Sequence, residues 1–227
     1  MKNNFKIQIC MLAFLSQFLL CSYTSTPQIT LEWHAFTKAT KRSDGTDAGG
    51  LGHSFIKVVN DSSKSIEIGY YTLPANSYVT IGLWTSGAVG SSSSNSSFAP
   101  AIVMQKVSNF KQGVLYNEER LKYTIQEKME DDIYAKMTLN DSALEKLNQV
   151  LVDKNSSYNV ITYNCATFTT EIWNKLNDTT YWTGWFRKPS NNKDDISNYT
   201  HYDGNDSLSY TNAVYYYDQT EGELLRV

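Results

Sequence analysis

The sequence predicts an α+β domain in which an antiparallel sheet packs against a helix that begins at Cys165. Two observations carry that expectation. Between Ile29 and Tyr116 apolar and polar residues alternate in short runs separated by turn-forming residues, the period of half-buried strands. After Thr138 the apolar residues move to helical spacing, first in Leu144, Leu147 and Leu151 and then in Phe168, Ile172 and Leu176.

The elements follow in order. Lys2 and Lys6 precede an apolar run over residues 7–20, and the small and polar Ser22, Tyr23, Thr24 and Ser25 follow it. A basic flank, an apolar stretch short for a bilayer and a small-residue exit describe a secretory signal over residues 1–25. Residues 26–227 then form a single domain, and the chain is expected outside the cell or on its surface. Leu20 is bulkier than lipoprotein processing takes before its cysteine, which argues against a lipid anchor at Cys21. A first strand is expected over 29–36, a glycine-rich loop over 38–50, and a hairpin with arms 54–59 and 65–72 around Asn60-Asp61-Ser62-Ser63. Another strand runs over 78–84, a Ser/Asn-rich surface loop over 87–97, and further strands over 101–107, 113–116 and 214–217. Asn140 and Asn164 suit helix N-caps. The run 158–163 is β-like and leads directly to Cys165, and Asn177-Asp178 closes the second helix.

Charge and cysteine usage narrow the function. Losing Lys2 and Lys6 with the signal takes the formal net charge from −3 to −5. That balance argues against nucleic acid and against an anionic bilayer as partners. No membrane span is expected after the signal. Cys10 and Cys21 lie in or beside the signal, so Cys165 is left alone, with no intramolecular disulfide open to it. A lone thiol in an exported chain is a buried small hydrophobe, an intermolecular crosslink or a reactive group, and composition does not choose among them.

Position says more. A thiol in the first turn of a helix feels the positive end of the helix dipole, which favours thiolate. The backbone N–H groups of that turn are candidate donors to an oxyanion. This suits a nucleophile, and a core cysteine fits the same position. A base must come from His34, His53 or His201. His53 opens a strongly β-forming arm behind Gly49, Gly50 and Gly52, a rigid place to hold an imidazole. His34 lies mid-strand among large residues and reads as structural, and His201 sits in a polar turn and reads as exposed.

The segment Gly52-His53-Ser54-Phe55-Ile56-Lys57-Val58-Val59-Asn60, with Ile66-Glu67-Ile68-Gly69 after it, resembles the histidine hairpin of the NlpC/P60 superfamily of papain-like cysteine hydrolases. Tyr163-Asn164-Cys165-Ala166-Thr167-Phe168 is similar to that superfamily's nucleophile turn, in the Asn-Cys form of members related to lecithin retinol acyltransferase. The histidine precedes the cysteine, as in the circularly permuted branch. The chain also resembles uncharacterised secreted bacterial proteins with a second strand ending in Gly-x-Trp, here Gly82-Leu83-Trp84. The resemblance spans roughly Trp33 to Ser197. It implies a papain-like domain, Cys165 as nucleophile and His53 as its base. It further implies a third polar residue that orients the imidazole from the next strand, where Glu67 falls closest and Tyr70 or Thr72 takes the place if the register differs.

Two classes of function follow. One is an exported cysteine hydrolase or acyltransferase acting on amide or ester bonds, with a peptide or acyl substrate and, by analogy, cell-wall peptide. The other is a binding module on the same fold. No cofactor or metal is expected: Gly50-Leu51-Gly52 lacks the third glycine of a dinucleotide loop, and no histidines or cysteines have zinc spacing.

Overall fold

The computed structural model of the chain describes residues 28–37, 52–85, 112–118, 131–154, 162–204 and 213–226. The alternation at its start becomes β1 (Ile29–Phe36). Leu31, Trp33 and Ala35 are fully buried, and Glu32 and His34 fall on the other face. β2 (His53–Asn60) pairs antiparallel with β1, with Phe36 opposite His53 and Trp33 opposite Ile56.

The expected hairpin partner of β2 does not form. Residues 66–73 fold on themselves as β3 (Ile66–Ile68) and β4 (Tyr71–Leu73), a separate two-stranded sheet. Gly69, at φ +60, turns the chain between them. The side chain of Asn60 holds this excursion at its base, donating to Lys64 O and Pro74 O at 2.9 Å each.

The strand beside β2 is instead β5 (Ser77–Thr85), which pairs in turn with β6 (Gln112–Tyr116). β7 (Ile133–Leu139) lies on the other side of β1. It alternates as Ile133, Ala135, Met137 and Leu139, a strand that the sequence reading did not assign, and it ends just before the helix expected after Thr138.

Three helices follow: α1 (Asp141–Asp153), α2 (Cys165–Asn177) and α3 (Pro189–Ile196). β8 (His201–Asp203), β9 (Tyr215–Asp218) and β10 (Glu223–Arg226) complete an antiparallel sheet in the order β10-β9-β6-β5-β2-β1-β7-β8. The molecule is therefore α+β, with a large antiparallel sheet and three helices among the described residues. α3, β8 and β10 arise from the carboxy-terminal stretch whose sequence has no clear period. The 1–25 segment, the loops at 38–50 and 87–97 and the run at 101–107 lie outside the described residues, as does most of 158–163. Among the described residues no helix is long and apolar enough to cross a membrane.

The core lies between one sheet face and the helices. Phe168, Ile172, Trp173 and Leu176 of α2 meet Trp33, Ile56, Val58 and Ile81, while Leu147, Val150 and Leu151 of α1 close one end and Ile196 of α3 another. Each such side chain contributes about 1.5–3 kcal/mol on burial, so the docking of α2 on β1 and β2 is strongly specified. The opposite face is polar yet buried at its centre: Glu32, His34, Lys57 and Thr80 are all buried there.

Candidate active site

The hydrogen-bonded register between β2 and β5 runs from Asn60–Ser77 to Ile56–Ile81 and stops there, three residues short of His53. Beyond that point β2 keeps only β1, while β5 continues with β6 through Thr85. The sheet thus opens between His53-Ser54 on one side and Leu83-Trp84 on the other. The first turn of α2 meets this opening.

Asn164 ends the preceding segment in extended backbone and caps α2. Its Oδ1 accepts from the N–H groups of Ala166 at 2.9 Å and Thr167 at 3.2 Å. Two donors expected to serve an oxyanion are therefore already used, and the N–H of Cys165 itself is the one left in that turn without a cap bond from Asn164. Cys165 is half-buried and makes no disulfide. Burial pushes its thiol up, but the charge of His53, a hydrogen bond from that ring and the backbone N–H of Ser54 outweigh burial and hold it below its ordinary value. The carboxylate of Glu118 works against them.

His53 also meets a carboxylate, and it is not that of Glu67. Its Nε2 lies 3.1 and 3.2 Å from the two oxygens of Glu118. Glu118 is fully buried. It reaches this place because Asn117 ends β6 in the left-handed region, at φ 60, with its N–H bonded to Thr80 O at 2.8 Å. The turn brings the Glu118 side chain back over β5, where Gly82 leaves room for it and Trp84 Nε1 donates to Oε2. Trp84 also packs its ring against the imidazole, centroids 4.8 Å apart.

Glu67 is exposed on β3 and accepts from the Thr72 hydroxyl at 2.9 Å. The reason is the local fold of 66–73, which carries Glu67, Tyr70 and Thr72 away from His53 and against α1, where Asn148 binds Glu67 O and Gly69 N. Glu118 stands in the sequence beside Glu119 and Arg120, after a short β run. The only signal for it was indirect, a glycine and a tryptophan two apart on the facing strand.

The start of β2 is locked to α2 by a buried polar cluster. Ser54 Oγ donates to His34 O at 2.7 Å and lies 2.7 Å from Thr169 Oγ1. Asn192 of α3 donates to Ser54 Oγ, Thr169 Oγ1 and Ala166 O at 2.8–3.0 Å. Its own Oδ1 accepts from Arg187 Nε at 2.7 Å, and the guanidinium pairs with Asp195. Arg187 O in turn accepts from Asn164 Nδ2 at 2.9 Å. The Cys165 turn, the start of β2 and α3 thus share one hydrogen-bonded frame, the kind of support that fixes a thiol relative to a ring.

The other histidines lie elsewhere. His34 is fully buried between Asp132 at 2.9 Å and Glu32 at 3.2 Å, and His201 is exposed, with Nδ1 3.1 Å from Tyr199 O. Among the described residues no group of three or more His, Cys, Asp or Glu is placed to hold a metal ion.

No protein-family model matches the chain, and no curated protein matches it either. Among solved structures, a type VI secretion system effector, TseH, is similar at 12% identity and a TM-score of 0.41, over 89% of this chain and 99% of that one.

Proposed function

We propose that this chain is an exported papain-like cysteine hydrolase or acyltransferase of the permuted NlpC/P60 type. In this reading Cys165 is the nucleophile, His53 the general base and acid, and Glu118 the group that orients the imidazole. The observation that carries it is the His53 ring held against the buried Glu118 carboxylate and beside the Cys165 thiol, with the three groups supplied by β2, the turn after β6 and α2.

The chemistry follows from those contacts. His53 takes the thiol proton, and the thiolate sulfur adds to a carbonyl carbon of the substrate. The carbonyl electron pair moves to oxygen, where the N–H of Cys165 donates to it. On collapse, the C–N or C–O bond breaks and the His53 imidazolium protonates the leaving amine or alcohol, leaving a thioester on Cys165. Water, deprotonated by His53, then releases the acid and restores the thiol, and an acceptor amine or alcohol in place of water would make the reaction a transfer. Export over residues 1–25 places the substrate outside the cell, and cell-wall peptide is the substrate class that the sequence resemblance suggests.

A second reading, a binding module on the same fold, is favoured by one observation. Trp182, Trp185 and Phe186 are exposed at 58, 67 and 64% in the segment between α2 and α3, and clustered exposed aromatics suit a binding surface.

An activated ester separates the two readings. With p-nitrophenyl acetate, intact-mass measurement should find one acetyl group on Cys165, followed by its release, and Cys165→Ser should show neither. A chain that stays unacylated at Cys165 contradicts the enzyme and favours the module.

A further inference from the structure

The proposed chemistry uses a cysteine, a histidine and a glutamate, and leaves the Gly82-Leu83-Trp84 run without a task. All three residues lie on β5 at the edge of the opening. Leu83 faces the core, while Gly82 and Trp84 fall on the face that carries His53. The backbone at Gly82 is not in the left-handed region, so conformational freedom is not what the glycine supplies. Space is: a methyl group at Gly82 would overlap the carboxylate of Glu118.

We infer that Gly82 and Trp84 are positioning residues for Glu118. Gly82 leaves the volume that the carboxylate occupies, and the indole N–H of Trp84 fixes its rotation so that it faces His53. The inference rests on the Cys165–His53 reading above and deepens it.

A fully buried carboxylate needs donors, and Trp84 Nε1–H and His53 Nε2 both reach Glu118. With one oxygen held by the indole, the carboxyl group cannot swing away from the imidazole without leaving that donor buried and unpaired. The same indole packs on the His53 ring, so one side chain holds both members of the pair. Phenylalanine would keep the packing and lose the hydrogen bond, which separates positioning from mere filling of space.

The readout is the titration of His53. Among the described residues the groups facing its ring are the Cys165 thiol from α2 and the Glu118 carboxylate after β6. Uncharged rings face it too: Trp84 from β5, Phe36 from β1 and Phe55 on its own strand. His34 lies behind Phe55.

The chain has three histidines, so long-range proton–nitrogen correlation spectra of the full chain resolve each ring against pH. Trp84→Phe should lower the His53 midpoint by about one unit, the scale of a hydrogen bond to a charged group, and leave that of His34 in place. Glu118→Gln should lower it similarly, and adding Trp84→Phe to Glu118→Gln should change nothing further. Gly82→Ala should act like Trp84→Phe. In the wild type the Trp84 indole proton should exchange slowly, a measurement that needs no variant to fold.

A His53 midpoint unchanged by Trp84→Phe, or a rapidly exchanging indole proton, overturns the inference. If Cys165→Ser leaves the His53 titration unmoved, the thiol–imidazole reading itself fails. If Cys165→Ser moves it and Trp84→Phe does not, the positioning role alone fails.

Discussion

His34 and His53 stand on neighbouring strands and on the same face of the sheet, and Phe55 stacks against both rings at 4.5 and 6.3 Å. Each ring meets carboxylate. His34 is gripped on both nitrogens, by Asp132 and Glu32, is stacked on Tyr134 as well, and is fully buried in the middle of the sheet. His53 sets Nε2 against Glu118 and also stands beside a thiol, at the point where β2 and β5 part. A buried histidine–carboxylate contact is thus common to both regions and does not by itself make a site. The difference is that a thiol also stands beside one of the rings, and that the sheet is open there. On the proposed reading one histidine moves a proton, while the other sits between two carboxylates.

Exchanging the two losses should sharpen that contrast most. His53→Ala removes general acid–base help, worth about 10²–10⁴-fold, and ester turnover should fall on that scale while the chain still folds. His34→Ala leaves the Asp132 carboxylate buried without its partner, a class of change that costs about 3–5 kcal/mol. Urea unfolding should record that loss. Turnover at full foldedness should remain measurable in His34→Ala, and a His34→Ala chain as stable as wild type would erase the distinction.

The two glutamates give the next largest effect. Glu118→Gln should lower turnover by about 10- to 100-fold, the equivalent of a hydrogen bond to a charged group. Glu67→Gln, on an exposed strand against Thr72, should leave turnover unchanged and stability within about 0.5 kcal/mol. Equal effects from the two would undo the assignment of the carboxylate.

Smaller still is a pH dependence that centres on His34 and its neighbour Glu32. Burial alone would push that imidazole down, but the charge and hydrogen bond of Asp132, then those of Glu32, outweigh it and raise it above its ordinary 6.5. The folded state therefore binds the proton more tightly than the unfolded chain. That stabilisation is fully present below pH 6.5 and is lost as pH rises through the raised value. Glu32 runs the other way. Burial raises it, yet His34 and Lys57 together hold it below 4.5, so its contribution is present above that value and lost as pH falls through the lowered one. The urea midpoint should decline on the alkaline side in wild type, and this decline should be weaker in His34→Ala.

How much of this was legible in the sequence follows from the range of the interactions. Period-two alternation marked β1, β5 and β6, and a capping asparagine followed by helical spacing marked α1 and α2, because those signals lie within a few residues of the element they form. The places of Cys165, in a capped first turn, and His53, at the head of a strand, were legible for the same reason. Glu118 was not. It meets His53 from 65 residues away, and its placement depends on a left-handed Asn117, on an empty Gly82 and on which strand lies beside β2. The expected hairpin put 65–72 there, and β5 took the place because Gly69 lets 66–73 turn back on itself and pack against α1. β7 was not assigned from the sequence, and α3 was hidden by weak periodicity. Its work is polar, through Asn192 and Arg187, which leaves little hydrophobic signal to read.

The central claim is that the Cys165 thiol is ionised with the help of His53, and the rate of iodoacetamide labelling against pH tests it without any substrate. Free cysteine titrates near roughly 8.5, and the folded chain should label with a midpoint below that. His53→Ala should move the midpoint upward, because burial and the Glu118 carboxylate would then act on the thiol without the opposing imidazolium. A thiol that resists label until the chain unfolds, or a midpoint identical in wild type and His53→Ala, would contradict the account.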